Sequence, residues 1–174
     1  VPLILEKIYK KMILPQLSKT TMKVALNIPL LDSRIYAQIR KKLVDAFGGR
    51  FREVIVGGAA MNEEVTNFLY KIKFPFTIGY GMTECGPLIS YDHNDEYVPG
   101  SCGQILKGIM KVRIDSEDPY NKVGEIQVSG ENVMKGYYKN EEATSKVFTE
   151  DGWLRTGDLG TIDADNRIYI RGRS

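Results

Sequence analysis

Three clusters of residues have the types and spacing to do chemistry. In Gly79-Tyr80-Gly81-Met82-Thr83-Glu84 two glycines flank an aromatic, so the backbone can turn sharply while the ring stays free to cover a flat ligand. Thr83 offers a hydroxyl donor suited to a phosphate oxygen, and Glu84 a carboxylate suited to Mg2+. The plainer alternative is a strand-to-loop turn with a surface glutamate. In Gly57-Gly58-Ala59-Ala60 four small residues permit something large to lie against the backbone, or simply serve tight helix–sheet packing. In Trp153-Leu154-Arg155-Thr156-Gly157-Asp158 the aspartate can accept from two vicinal sugar hydroxyls, and Arg173 can support the same sugar or a phosphate. A turn aspartate paired with a strand-end arginine is the plainer reading here, and residues 165–169 would supply the hairpin that brings Arg173 back beside Asp158.

Other chemically suggestive residues read as bland. His93 sits in the polar run Asp92-His93-Asn94-Asp95, and no nearby Ser or Cys arrangement makes it a triad base. Cys85 follows Glu84, where a small side chain suffices. Tyr137 and Tyr138 beside Lys135 and Lys139 do not make a nucleic-acid surface. No G-x-x-x-x-G-K-[ST] and no G-x-G-x-x-G occurs.

The elements that must position these clusters fall into two kinds. Leu5, Ile8, Tyr9, Met12 and Ile13 recur at helical spacing, which predicts a helix over 2–13, begun at Pro2 and stopped by Pro15. Residues 16–31 are weakly patterned. A second helix follows, capped by Asp32 or Ser33 and ended by Gly48-Gly49. Val54-Ile55-Val56 reads as a short buried strand. Asn62 caps a third helix with the face Val65, Phe68, Leu69 and Ile72, and Phe76-Thr77-Ile78 is the next strand. Strand, helix, strand with short loops predicts a parallel α/β sheet, whose ligands bind at the strand C-terminal ends. After about residue 95 short alternating runs take over: 111–114, 125–128 and 167–170, with one helical stretch at 141–147 and turns at Asp151-Gly152 and Asp165-Asn166. This half predicts a small antiparallel β-barrel or sandwich. The expected fold is α/β followed by mostly β, as an α/β lobe over 1–95 and a β-rich lobe over 96–174.

With 174 residues, 43% hydrophobic and 26% charged, the chain is long enough to bury a core, which excludes disorder, collagen-like repeats and a disulfide scaffold. No apolar run approaches the roughly 20 residues that span a bilayer, and no signal-peptide pattern opens the chain. Two cysteines and one histidine do not make a metal site, and a reduced cytoplasmic setting is the default. The net charge of +2 hides an asymmetry: residues 1–50 carry ten Lys/Arg against three Asp/Glu, the rest fourteen against nineteen. The basic front end reads first as a solvated helix face. A nucleic-acid or peripheral membrane contact, or a face turned toward another part of a longer chain, are the further readings.

In this order, Gly58-Ala59-Ala60, Tyr80-Gly81-Met82-Thr83-Glu84, Gly124-Glu125-Ile126, Met134-Lys135-Gly136-Tyr137-Tyr138, Thr156-Gly157-Asp158 and Gly172-Arg173 resemble the motifs of the adenylate-forming superfamily, which holds acyl-CoA synthetases, luciferases and peptide-synthetase adenylation domains. The resemblance runs from about Val54 to the last residue. Asp151 to Asp158 is similar to the fatty acyl-CoA synthetase signature, and Val1-Pro2-Leu3 with Glu6-Lys7-Ile8-Tyr9 to a segment of the long-chain members. The resemblance implies a two-step reaction: a carboxylate attacks the α-phosphorus of ATP, then the thiol of coenzyme A displaces AMP. It implies that Tyr80 stacks on adenine, that Gly58 and Ala59 line the adenine and acyl site with Gly81 also at the nucleotide, that Thr83 binds the α-phosphate and that Glu84 binds Mg2+. Asp158 and Arg173 would hold the ribose, and Thr83 and Glu84 would be the catalytic pair. Ala60 stands where a proline is frequent.

Two parts of the family pattern are absent from the 174 residues: the Ser/Thr/Gly-rich loop with its triphosphate-cradling lysine, and the lid domain with its catalytic lysine. The expectation is therefore a fragment of a long-chain fatty acid–CoA ligase, inactive by itself, partnered by fatty acid, ATP and CoA and by the missing parts of its own chain, without nucleic acid. The alternatives are an adenylating enzyme with another acid or a carrier-protein acceptor, and a non-catalytic nucleotide-binding module.

Overall fold

The computed structural model describes residues 2–58 and 60–173. They divide into two compact units, Val1–Phe76 and Thr77–Ser174. This boundary precedes the change of pattern at residue 95, because the segment after Phe76 packs its apolar residues with the β-rich part.

In the first unit, α1 (Pro2–Ile8) continues through a π-helical turn (Tyr9–Ile13) into α2 (Leu14–Leu17). Pro15 was expected to stop this helix; the helical backbone instead runs past it, with Pro15 at the start of α2, and ends at Leu17. The weakly patterned stretch holds α3 (Thr20–Leu26). The next helix, α4 (Leu31–Ala46), starts from Leu30 at φ 72 with no side-chain cap. Neither expected cap acts as one: Asp32 sits in the first turn and accepts from Ser33 N–H, while Ser33 Oγ donates to Leu30 O. β1 (Val54–Val56) and α5 (Glu63–Lys71) form at the expected places, with the Asn62 side chain accepting from Val65 N–H at 3.3 Å; β1 is not buried throughout as expected, since Val56 is buried but Ile55 is exposed. The packing of α1 on α5 is polar as well as apolar. Glu6 accepts from Asn62 N–H at 3.0 Å, and Tyr9, its ring 5.0 Å from that of Phe68, donates to Glu64 at 2.9 Å. Burial and then the Glu64 bond push the Tyr9 hydroxyl up to about 12.

β2 (Phe76–Ile78) pairs with β1 as a parallel strand–helix–strand unit. The second unit continues with the hairpin of β3 (Tyr80–Gly81) and β4 (Leu88–Ser90), whose turn is a 3-10 helix over Thr83–Cys85. Then follow β5 (Met110–Asp115), β6 (Gly124–Gly130), α6 (Glu141–Val147), β7 (Leu154–Ile162) and β8 (Ile168–Arg173). The last four strands make one antiparallel sheet in sequence order. A small antiparallel barrel or sandwich was expected; no closed barrel forms among the described residues, since β5 and β8 are the two edges of the four-stranded sheet and do not pair with each other.

Alternation places Met110, Ile114, Ile126, Val128, Leu154 and Ile168 on one face, and Tyr80, Cys85 and Ile89 of the hairpin pack into the same cluster. Asp92 is buried, accepts Gln104 N–H on one oxygen and pairs with Arg167 Nε at 3.1 Å on the other. Burial pushes both thiols from 9.0 to about 11, with Glu84 adding to the effect at Cys85. A rise of this size leaves about a hundredfold less thiolate near neutral pH, and the thiolate is the reacting form. Iodoacetamide at pH 8 is therefore expected to label Cys85 and Cys102 about a hundredfold more slowly in the folded chain than in urea. The protonated thiols favour the folded state below the unfolded pKa, and that contribution is lost as pH rises through about 11. Equal labelling rates with and without urea would refute the burial assignment.

Candidate functional site

Asp158 owes its place to a fault in the ladder. β6 and β7 pair at Glu125–Leu159 and Gln127–Arg155, so Ile126 alone faces residues 156–158. Gly157 absorbs this bulge at φ 72, a conformation that suits glycine. Thr156 fastens it: its hydroxyl donates to Ile126 O at 2.7 Å and accepts from Asp158 N–H at 3.1 Å. Asp158 lies directly across from Arg173 on β8, whose Nε donates to Oδ1 at 2.9 Å. The hairpin between them brings Arg173 back to the aspartate as the sequence suggested.

The second carboxylate oxygen meets Tyr80. Its hydroxyl donates to Asp158 Oδ2 at 2.8 Å across a sequence separation of 78. The ring is only 6% exposed. Burial first, and the Asp158 carboxylate after it, drive this hydroxyl far above the ordinary tyrosine range, so it stays protonated and a donor. Asp158 is thus a half-buried acceptor between a neutral phenol and an exposed guanidinium.

Four hydrogen bonds from the segment 132–137 fix the Thr83–Glu84 turn. Asn132 Nδ2 donates to Cys85 O at 2.7 Å and Leu88 O at 2.8 Å, Met134 N–H to Glu84 O at 2.7 Å, and Tyr137 Oη to Glu84 Oε1 at 2.9 Å. Thr83 is exposed and Glu84 half-buried. Gly81 is fixed by closeness, since a Cβ there would fall on the Pro87 backbone. Tyr80, Gly81, Thr83, Glu84, Asp158 and Arg173 thus belong to one unit, and Tyr80, Asp158 and Arg173 are in direct contact. Gly58 belongs to the other unit, exposed after β1 at φ +81, where a side chain would be strained. Ala59 lies outside the described residues. Thr156, Asn132 and Tyr137 were not singled out from the sequence as positioning groups; Tyr137 read there as bland.

Among the described residues no group of three or more His, Cys, Asp or Glu side chains could hold a metal ion. A Mg2+ that takes most of its ligands from phosphate and water needs only one or two carboxylates, and Glu84 fits that use. Among the described residues no helix is long and apolar enough to cross a membrane.

A strand–helix–strand unit is followed in the chain by an open antiparallel sheet that carries an Asp–Arg pair beside a Gly-Tyr-Gly turn. The chain belongs to the AMP-binding enzyme family, whose model matches residues 2–138. It is 36% identical over 155 residues to 4-coumarate-CoA ligase 1 of Narcissus pseudonarcissus, a match covering 82% of this chain and 28% of that protein. It is 31% identical over 169 residues to long-chain-fatty-acid–CoA ligase 1 of Saccharomyces cerevisiae, covering 90% and 24%. The crystal structure of ATP-bound MatB from Rhodopseudomonas palustris matches with TM-score 0.66 at 31% identity, over 81% of this chain and 29% of that one. The chain therefore spans about a quarter of the length of these curated relatives.

Proposed function

We propose that the protein containing this chain is an ATP-dependent acyl-CoA ligase acting on a long-chain fatty acid. A carboxylate oxygen attacks the α-phosphorus of ATP and pyrophosphate leaves. The sulfur of coenzyme A then attacks the acyl carbonyl, AMP leaves, and the thiol proton goes to solvent. The observation that carries this reading is the Asp158 carboxylate held between Tyr80 and Arg173. A carboxylate has about four acceptor positions, so two ribose hydroxyls can join or replace these donors.

The remaining roles are the ones that the family resemblance implies. Thr83, exposed at the turn, is assigned to the α-phosphate, and Glu84 to Mg2+. Mg2+ when bound would offset phosphate charge and orient the leaving pyrophosphate. Tyr80 is assigned to the adenine wall as a stacking ring, which from its buried state requires that one face be uncovered on binding. Gly58, Ala59 and Gly81 are assigned to the nucleotide lining, where absent or small side chains let a ligand approach the backbone. We further assign the protein to the cytoplasm, with its basic N-terminal helices as a peripheral membrane contact.

The fatty-acid assignment rests on the segment Asp151–Asp158 and on the yeast relative; the Narcissus relative names the same thioester chemistry with another acid. Pyrophosphate release by the full-length polypeptide, measured with ATP, Mg2+, CoA and a panel from acetate through 4-coumarate to palmitate, separates the two. The expected result is the highest kcat/KM for the long-chain acid, and a preference for 4-coumarate overturns that assignment. The 174-residue chain by itself is expected to show no turnover. It has neither a triphosphate-cradling lysine nor a lid lysine, so it lacks the positive groups that stabilise charge developing at phosphorus. Turnover near that of the full-length polypeptide would refute this.

A further inference from the structure

We propose that Tyr137 is a positioning residue for Glu84, holding its carboxylate in the orientation that a divalent cation meets; the inference rests on reading Glu84 as the metal contact. The backbone of the Glu84 turn is already fixed by Met134 and Asn132. That leaves the side chain, a flexible stem that would otherwise sample several rotamers. Tyr137 Oη closes this freedom at 2.9 Å on Oε1, from a position 53 residues away in sequence.

Tyr137 is itself held from the far side. Its N–H donates to Thr144 Oγ1 at 2.9 Å, and that hydroxyl donates to Asn140 O at 2.8 Å. Asn140 Oδ1 caps α6 by accepting from Ala143 N–H at 3.0 Å. Gly136 lies at φ +149, and a Cβ there would come within 2.7 Å of Thr144 Cγ2, so the approach of this segment to α6 requires glycine. A continuous set of contacts thus runs from the capped start of α6 through Thr144 and Tyr137 to one oxygen of Glu84. It fixes that oxygen while spending one of about four acceptor positions. Groups that hold a ligating carboxylate in this way typically change metal affinity about 10- to 100-fold when removed.

The test compares the full-length polypeptide with Tyr137→Phe, Tyr137→His and Glu84→Gln. Two readouts are taken by equilibrium dialysis: the Mn2+ concentration for half-maximal retention of a non-hydrolysable ATP analogue, and the affinity for AMP without metal. Tyr137→Phe is expected to raise the Mn2+ requirement about 10- to 100-fold with AMP affinity unchanged. Tyr137→His, which restores an N–H donor, should recover part of the loss. In turnover, the Mg2+ half-saturation should rise while kcat at saturating Mg2+ stays near the parent. A parental Mn2+ requirement in Tyr137→Phe, with a raised one in Glu84→Gln, overturns the positioning role and leaves the Glu84 contact standing. No shift in either variant overturns the metal contact itself and the inference with it. An equal fall in AMP affinity would make Tyr137 a packing residue and also overturn it.

Discussion

Gly81→Ala is expected to cost about 3 kcal/mol or more, the upper range of overpacking a close contact. The added Cβ would fall on the Pro87 carbonyl oxygen, 2.8 Å from its carbon and 3.0 Å from Leu88 Cα. These are backbone atoms and cannot swing aside as the end of a side chain can. Pro87 O also accepts the Met82 N–H at 2.8 Å, so moving it breaks the bond that closes the hairpin. The same turn carries Thr83 and Glu84, so nucleotide binding should fall with stability. Trp153 is the only tryptophan and lies in this unit, which makes its fluorescence in urea the natural readout. A midpoint lower by about 1 M or more is expected. Gly172→Ala, where nothing lies within 4 Å of the added atom, should leave it nearly unmoved. If the two variants melt alike, the close approach at Gly81 is not real.

Asp158→Ala is expected to lower ATP affinity of the full-length polypeptide from tenfold to more than a hundredfold. Each hydrogen bond to a charged acceptor contributes about 1.5–3 kcal/mol, about tenfold to more than a hundredfold, and at least one from a ribose hydroxyl would be lost. The variant also strands the Tyr80 hydroxyl, which is buried and has Asp158 as its acceptor. Loss of the Arg173 pair adds little to stability, since that arginine is 81% exposed. Asp158→Asn separates the two effects. Its amide oxygen still accepts from Tyr80, so the fold should recover more than the nucleotide affinity does. ATP binding equal to the parent in a folded Asp158→Ala protein would remove the ribose assignment.

Features set by neighbours in the chain were legible in the sequence. Asn62 precedes an apolar face by the spacing of a cap, and it caps. The 54–56 and 76–78 runs are short and apolar between turn residues, and both are strands. Part of what failed depended on partners far along the chain. Arg155-Thr156-Gly157-Asp158 breaks alternation, so β7 could not be read as a strand; the break is the bulge opposite Ile126, visible only when β6 is beside it. Pro15 looked like a stop, yet the helical backbone passes through a π turn and runs past it. Leu30 in a left-handed conformation as a helix start has no local signature. The motif residues themselves were legible by type, and Asp158 with Arg173 also by hairpin arithmetic. The donors that aim them, Tyr80 at Asp158 and Tyr137 at Glu84, act across 78 and 53 residues and leave no mark in local spacing.

The bulge also sets how this stretch of chain can change in length. One residue of β6 faces three of β7, and the inward–outward phase of Leu159 to Ile162 depends on that count. Removing one residue from 156–158 would turn every later side chain of the strand to the opposite face and carry β8 with it. Removing two would restore a regular ladder with the phase intact and only the aspartate displaced. Insertions and deletions tolerated here should therefore come in twos, so that over evolutionary time the segment lengthens or shortens by even steps or not at all.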